Sequence, residues 1–138
     1  NFPNINARIG FGGPVSKDSL FFIHSLGKEV KNSLQIQKDL YYGGDFDDVC
    51  KVLENNPELN NQIRFFVGYS GWDEKQLDQE LQEKNWITVN NIGKTFILDT
   101  SMKDMWKSAL EKQKGKFKMI SNSPTTPVTT NAWLYLIK

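Results

Sequence analysis

The fold is decided between residues 63 and 72, where the chain reads Ile63-Arg64-Phe65-Phe66-Val67-Gly68-Tyr69-Ser70-Gly71-Trp72. A β-branched and aromatic run that glycine interrupts is typical of a buried strand. The polar residues that follow, with Leu77 and Leu81 at helical spacing, predict a helix from Trp72 to Lys84. Ligands often bind where a strand turns directly into a helix, because backbone N–H groups and side chains converge there. This corner is therefore the first candidate site.

A second glycine-rich turn lies earlier in the chain. Ile5, Ala7 and Ile9 alternate with polar residues and predict a strand from residue 5 to residue 9. The turn after this strand contains Gly10, Phe11, Gly12, Gly13 and Pro14. Leu20 to His24 is continuously apolar and predicts a central strand. We expect the two glycine turns to meet, and we expect a cleft there that His24 lines together with Tyr69 and Trp72.

The rest of the chain predicts further strands and helices. Leu34 to Leu40 indicates a half-exposed strand, and Asp45 can cap a helix whose apolar stripe is Phe46, Val49, Cys50 and Leu53. Asn55-Asn56-Pro57 should end that helix. Trp86 to Val89 and Phe96 to Leu98 predict a hairpin, and Met102 to Leu110 predicts a third helix. Residues 121 to 131 should be irregular, and Trp133 to Ile137 can form a terminal strand.

The order of these elements predicts the fold class α/β (α+β). Strands and helices alternate only in part, and a hairpin interrupts them, so we expect a mixed β-sheet of about five to seven strands with about three packed helices. A length of 138 residues predicts a single domain covering residues 1–138.

Composition limits the classes of function. The 17 Lys and Arg nearly balance the 16 Asp and Glu, which argues against a dedicated binder of nucleic acid or of membrane surfaces. Cys50 is the single cysteine, so no internal disulfide can form and a reducing cytoplasm is favoured. No apolar stretch approaches the roughly 20 residues of a membrane span. No secretion leader is visible ahead of the first predicted strand, and the start at Asn1 indicates a fragment or a processed product.

Several ordered blocks of the sequence resemble the AlgH/YqgE family of bacterial proteins. They are Gly12-Gly13-Pro14-Val15, then Leu20 to His24, then Gly68 to Trp72 followed by Gln76, Leu77, Glu80, Trp86 and Trp106. The resemblance implies an AlgH/YqgE-like domain without the family's N-terminal segment, which would leave residues 5 to 9 at an exposed sheet edge, open to pairing with a second copy. It implies no assigned biochemical activity, although one branch of the family is labelled a transcriptional regulator.

Our leading interpretation is a non-enzymatic binding or regulatory protein that uses no cofactor and no metal. Its partner, a protein or a small ligand, would bind a surface built by the two glycine turns. The residues of this predicted surface are Gly12, Gly13, Pro14, His24, Gly68, Tyr69, Ser70, Gly71, Trp72 and Gln76.

Two other functions stay open on the sequence. A serine hydrolase would use Ser70 with His24, but a nucleophile elbow needs glycine two residues after the serine, and that position is Trp72. A DNA-binding regulator would use the cluster Lys112, Lys114, Lys116 and Lys118, although such a run is more often a solvated helix end. Asp45, Asp47 and Asp48 resemble calcium ligands, but helix capping explains them better because the rest of a calcium loop is absent.

Overall fold

The computed structural model describes residues 7–89, 92–102 and 104–112. These ranges contain five strands: β1 (Ile9–Phe11), β2 (Val15–His24), β3 (Leu34–Gln37), β4 (Leu40–Tyr42) and β5 (Ile63–Tyr69). They also contain four α-helices: α1 (Phe46–Asn55), α2 (Gln76–Gln82), α3 (Lys94–Leu98) and α4 (Met105–Glu111). Short 3-10 helices cover Gly27–Glu29 and Pro57–Gln62.

The five strands form one sheet in the order β1-β5-β2-β4-β3. β1 runs parallel to β5, and the other neighbouring strands are antiparallel. The predicted mixed α+β sheet is confirmed. In the register of β2 against β5, His24 lies opposite Ile63, Leu20 opposite Val67 and Val15 opposite Tyr69. The start of β5 therefore lies beside the end of β2, and the glycine turn that follows β5 lies beside the start of β2.

Helices pack on both faces of the sheet. On one face, Val49 and Leu53 of α1 join Phe22, Ile63 and Phe65 in a buried cluster. On the other face, Ile97 and Leu98 of α3 pack against Ile23 and Leu40. Because neighbouring residues of a strand point to opposite faces, Phe22 and Ile23 belong to different clusters. The apolar run at the end of β2 is thus covered on both sides, as its sequence predicts.

The helix predicted after Asp45 is α1. The Asp45 side chain accepts a hydrogen bond from the backbone N–H of Asp47 at 3.1 Å, which satisfies one free donor of the first turn. Val49 and Leu53 are buried, and a 3-10 helix beginning at Pro57 follows. Capping is therefore the structural role of Asp45.

Several boundaries and elements differ from the prediction. The single strand predicted from Leu34 to Leu40 is two antiparallel strands, β3 and β4, because the chain turns at Asp39, whose φ is +57°. The predicted hairpin is wrong, because Phe96 to Leu98 lies in α3. In the first turn of this helix, the N–H groups of Phe96 and Ile97 donate to the Gly93 carbonyl. Trp86 to Val89 forms no strand. A short apolar run fits a strand or one helical turn equally well, and packing against the sheet decides for the helix. α2 begins at Gln76 rather than at Trp72, and the third predicted helix begins at Met105 rather than at Met102.

The first strand is β1, at one edge of the described sheet, and it runs from Ile9 to Phe11 rather than from residue 5 to residue 9, because pairing with Phe65 to Val67 of β5 extends into the predicted turn. Ile9 is 60% exposed and Phe11 43% exposed. Pairing of this edge with a second copy stays a prediction. Residues 1 to 6 lie outside the described residues, as do the predicted irregular segment from 121 to 131 and the predicted strand from Trp133 to Ile137. Among the described residues, no helix is both long and apolar enough to cross a lipid bilayer.

Candidate functional site

The two glycine turns lie against each other, backbone to backbone. A Cβ atom on Gly12 would overlap the carbonyl oxygen of Gly68, and a Cβ on Gly68 would overlap the carbonyl oxygen of Gly13. A Cβ on Gly13 would overlap the backbone of Tyr69. The Gly12 N–H also donates to the Val67 carbonyl at 2.8 Å, which extends the parallel pairing of β1 and β5 into the turn. No side chain larger than hydrogen fits at these three glycines. We call this contact the glycine corner.

Gly68 also changes the direction in which the end of β5 presents its side chains. Its φ is +70°, a conformation that glycine adopts without steric cost. Phe21 and Phe66 lie opposite each other on one face. Regular alternation would point Tyr69 to the other face, yet its ring contacts the Phe21 ring edge to face, with the ring centroids 5.4 Å apart. Tyr69 is 42% exposed, so the corner presents an aromatic side chain to solvent.

Beyond the corner, three side chains converge on the carboxylate of Glu80 in α2. The indole N–H groups of Trp72 and Trp86 both donate to Oε2, at 3.2 Å and 2.6 Å. The Gln76 amide donates to Oε1 at 2.9 Å, and its own oxygen accepts from the N–H of Asp73 at 3.0 Å. The two indole rings contact each other at 75°, with their centroids 6.0 Å apart. We call Trp72, Gln76, Glu80 and Trp86 the Glu80 cluster.

The Glu80 cluster joins α2 to the chain segments directly before and after it, which carry Trp72 and Trp86. No residue of α2 is fully buried, and its inner side consists of the half-buried residues Leu77, Glu80 and Leu81. Hydrophobic burial alone therefore holds this helix weakly. The hydrogen bonds from Trp86, Gln76 and Trp72 stabilise the ionised carboxylate and lower the pKa of Glu80. The ionised form is the one that accepts all three bonds.

This arrangement predicts how the cluster responds to acid. The pKa of Glu80 is lower in the folded chain than in the unfolded chain, so its contribution to stability is complete above the ordinary glutamate pKa of about 4.3. That contribution is lost as the pH falls through the lowered pKa. We expect the indole N–H resonances of Trp72 and Trp86 to keep their positions from pH 7 to about pH 5 and to move together at lower pH. An NMR titration tests this, and movement of only one resonance would contradict the shared carboxylate.

His24 does not lie at the glycine corner, and its predicted position beside the Gly-Gly-Pro turn is wrong. It is fully buried at the far end of β2, opposite Ile63. Its Nδ1 accepts from the N–H of Leu26 at 3.2 Å, so the proton is on Nε2, which donates to the Gly43 carbonyl at 3.1 Å. Burial lowers the pKa of His24, partly opposed by the bond to Gly43. The side chain is a neutral core histidine.

The position of His24 also excludes the serine hydrolase pair. Ile63, its partner in the register, precedes Ser70 by seven residues, which at about 3.3 Å per residue is roughly 20 Å along an extended strand. Acid–base catalysis needs hydrogen-bond contact between the serine and the imidazole. Both ring nitrogens of His24 are already engaged with the backbone.

The remaining predicted residues lie in or next to the two turns. Pro14 and Gly71 are exposed, Ser70 is half-buried, and Gln76 belongs to the Glu80 cluster. That these residues bind a ligand stays a prediction. Of the lysine cluster, only Lys112 lies among the described residues, and its ammonium is 5.1 Å from the centroid of the Phe96 ring.

Sequence reasoning missed Glu80 and Trp86 as members of the site. A signal existed for part of the cluster, because Gln76 and Glu80 are four residues apart and share one side of a helix. It also missed the role of Arg64, the one charged residue of β5. Arg64 donates to the Ile97 carbonyl at 3.0 Å and lies over the Phe66 ring, 5.2 Å from its centroid, so it holds the end of α3 on the sheet.

Together, the mixed sheet with helices on both faces and the glycine corner at its strand ends define a small α+β protein. A family model described as AlgH-like matches residues 2–118. The chain belongs to the AlgH-like family, and the resemblance drawn from its sequence blocks is confirmed.

Relatives of the chain are UPF0301 proteins from bacteria. One from Bacteroides fragilis is 42% identical over 117 residues, which is 84% of this chain and 58% of that protein. One from Bacteroides thetaiotaomicron is 40% identical over 116 residues, again 84% and 58%. One from Chlorobium limicola is 33% identical over 126 residues, 91% of this chain and 67% of that protein. The chain thus spans less than two thirds of the length of the Bacteroides relatives.

A solved structure has the same fold. The chain is similar to the solution structure of the AlgH protein from Pseudomonas aeruginosa, with a TM-score of 0.63 and 21% sequence identity. The match covers 88% of this chain and 62% of that chain. The family is one of uncharacterised function, so the function has to be argued from the site.

Proposed function

We propose that this chain is a non-enzymatic binding protein of the bacterial cytoplasm that captures a partner protein on the apolar surface at its glycine corner. The proposal is supported by exposed apolar side chains at the strand ends, on a backbone that the corner holds rigid. No catalytic group is required by it.

One row of side chains carries the proposal. In the sheet register, Phe11 of β1 and Leu20 of β2 both lie opposite Val67 of β5, so the three side chains form a row across three strands. The next row inward, with Phe22 and Phe65, is covered by α1. Phe11 is 43% and Leu20 41% exposed, and Val67 is half-buried. Single exposed apolar residues are common on protein surfaces, but a contiguous row is typical of an interaction site.

The glycine corner makes this row a preformed surface. Gly12 and Gly13 fix the chain just after Phe11, and Gly68 fixes it just after Val67. A surface that is already ordered loses little conformational entropy when a partner binds. Val15, 40% exposed, extends the apolar surface at the end of the sheet. We call Phe11, Val15, Leu20 and Val67 the corner surface.

Affinity capture with matched leucine variants tests the proposal. The full chain is immobilised, a bacterial lysate is passed over it, and bound proteins are quantified by mass spectrometry. We expect Leu20→Ser to reduce the capture of the enriched partner about tenfold, the effect of losing about 1.4 kcal/mol of binding free energy. Leu34→Ser is the control, because Leu34 is also an exposed strand leucine, 64% exposed, but lies at the opposite edge of the sheet.

Two results would contradict the proposal. In one, both leucine variants reduce capture equally; in the other, no protein is enriched over an unrelated bait. Circular dichroism and the melting temperature of each variant separate loss of binding from loss of fold.

The DNA-binding alternative depends on lysines that, apart from Lys112, lie outside the described residues. It is not favoured by the near balance of charge in the whole chain, 17 basic against 16 acidic residues. An anisotropy titration with duplex DNA at low and high salt separates the two functions, because phosphate contacts weaken steeply as the salt concentration rises.

A further inference from the structure

A second exposed aromatic surface lies on the face of the sheet opposite the corner surface. Phe21 and Ile23 of β2 share this face, and Tyr42 of β4 lies opposite Ile23 in the register. The Tyr69 ring, at the end of β5, contacts the Phe21 ring edge to face. Because β5, β2 and β4 are neighbours in the sheet, three adjacent strands each contribute one ring. We call Phe21, Tyr42 and Tyr69 the tyrosine surface.

The tyrosine surface is only partly covered. Ile97 and Leu98 of α3 pack on this face against Ile23, but Tyr42 is 40% and Tyr69 42% exposed. Burial raises the pKa of Tyr42, and its electrostatic interaction with Tyr69 raises it further, so the two phenol groups lie near each other. Within the described part of the chain, neither phenol hydroxyl has a hydrogen-bond partner. The surface therefore presents two O–H donors beside three rings.

A peptide in the polyproline II conformation matches these groups. Its backbone makes no internal hydrogen bonds, so its carbonyl groups accept from outside donors such as a phenol O–H, and its prolines have no N–H that needs an acceptor. Aromatic-lined surfaces are the usual docking sites of Pro-x-x-Pro segments. The spacing agrees as well. Prolines three residues apart are separated by about 9.3 Å in this helix, and β5 and β4, with β2 between them, are roughly 9.6 Å apart.

The chain itself carries such a segment, Pro124-Thr125-Thr126-Pro127, which lies outside the described residues. Because polyproline II has three residues per turn, this spacing predicts both proline rings on one edge of the segment. The sequence from Met119 to Ile137 contains no charged side chain, and neither does the tyrosine surface. Docking of the segment would therefore bury no charge without a partner.

The last described residue lies on the same face as the tyrosine surface. Lys112 follows α4, and its ammonium is 5.1 Å from the centroid of the Phe96 ring in α3, the helix that packs on this face. The eleven residues between Lys112 and Pro124 can span up to roughly 40 Å, which exceeds the roughly 19 Å width of a five-stranded sheet. We propose that residues 124–127 dock on the tyrosine surface of their own chain. This docking does not depend on the capture of a partner at the corner surface.

Competition with a synthetic peptide of residues 121–130 tests this docking in the full chain. NMR follows the backbone amide signals of the tyrosine surface while the peptide is added. Pro124→Ala/Pro127→Ala should bind the peptide about tenfold more tightly than the parent chain, because the parent surface is occupied by its own segment about nine-tenths of the time. Thr125→Ala/Thr126→Ala is the matched control, since it changes the same segment but keeps both prolines. It should bind the peptide within about twofold of the parent chain.

A variant of the surface itself completes the test. Tyr69→Ala should abolish the peptide-induced shifts at Phe21 and Tyr42, while unchanged signals of Val49 in α1, on the far face, show that each variant remains folded. Four outcomes would overturn the proposal: the peptide gives no saturable shift in the proline variant, the proline and threonine variants bind it equally, Tyr69→Ala keeps the shifts, or dilution of the parent chain moves the signals of the tyrosine surface. Movement on dilution would mean that a second copy occupies the surface.

Discussion

Gly68→Ala is expected to lower the free energy of unfolding by about 3 kcal/mol or more. Part of the loss is conformational, because φ at this position is +70° and a residue with a Cβ atom is about 1–2 kcal/mol less stable there. The larger part is steric. The new Cβ would overlap the Gly13 carbonyl oxygen and lie 2.9 Å from the carbonyl oxygen of Val15, so backbone has to move, at a cost of about 1–3 kcal/mol.

Gly27→Ala is the matched control for this variant. Gly27 has nearly the same φ, +63°, but a Cβ there meets no atom within 4 Å. It should lose only the conformational part, about 1–2 kcal/mol. Urea unfolding followed by circular dichroism measures both losses, provided that the m-values agree. Equal losses in the two variants would mean that the two glycine turns are not in contact in solution.

The elements that the sequence predicts well are those with a strong local pattern. α1 has a capping aspartate, an apolar stripe at i, i+3, i+4 and i+7, and a proline after its end, and the structure has this helix from Phe46 to Asn55. The apolar run at the end of β2 and the apolar run in β5 both form strands, as predicted. Their side chains pack in clusters on both faces of the sheet, which explains why the runs are continuously apolar. Local propensity and burial agree at these places.

The order and register of the strands in the sheet cannot be predicted from local sequence patterns. The apolar run from Leu20 to His24 predicts a strand, but it does not determine which end of the neighbouring strand His24 lies beside. The antiparallel register places it opposite Ile63, at the end of β5 remote from Gly68. The sequence does predict that the two turns meet, because glycine has no side chain and allows two backbones to approach closely. Which glycine meets which depends on the parallel pairing of β1 with β5.

The Glu80 cluster depends on backbone conformations that the sequence does not signal. Lys75 and Lys84, which flank α2, have φ of +66° and +60°. Lysine adopts such angles rarely, so the sequence does not predict a turn at either position. Without these two turns, the predicted helix would run on from Trp72, and Trp72 and Trp86 would not be brought to the same carboxylate oxygen. The family blocks name these residues, but only the structure brings them together.

The second large effect concerns His24, and it depends on pH. Burial lowers the pKa of this side chain in the folded protein below the ordinary histidine value of about 6.5. Below pH 6.5, the unfolded chain therefore binds more protons than the folded chain, and the free energy of unfolding decreases as the pH falls. Because a single group is responsible, the slope cannot exceed about 1.4 kcal/mol per pH unit. At pH 7.5 this destabilisation is absent.

The chain has one histidine, so substitution of His24 isolates the effect. His24→Gln can still donate to the Gly43 carbonyl and accept from the Leu26 N–H, but it does not titrate, and its stability should change little between pH 7.5 and pH 5.5. His24→Leu leaves both backbone groups without a partner and should lose about 3 kcal/mol relative to the parent chain at pH 7.5, on the order of 1–3 kcal/mol for each group. The loss should be smaller at pH 5.5, where the parent chain is itself destabilised. Urea unfolding at the two pH values measures all three proteins. If His24→Gln kept the pH dependence of the parent chain, the proton that destabilises the fold would bind elsewhere, and the neutral core histidine would not be its cause.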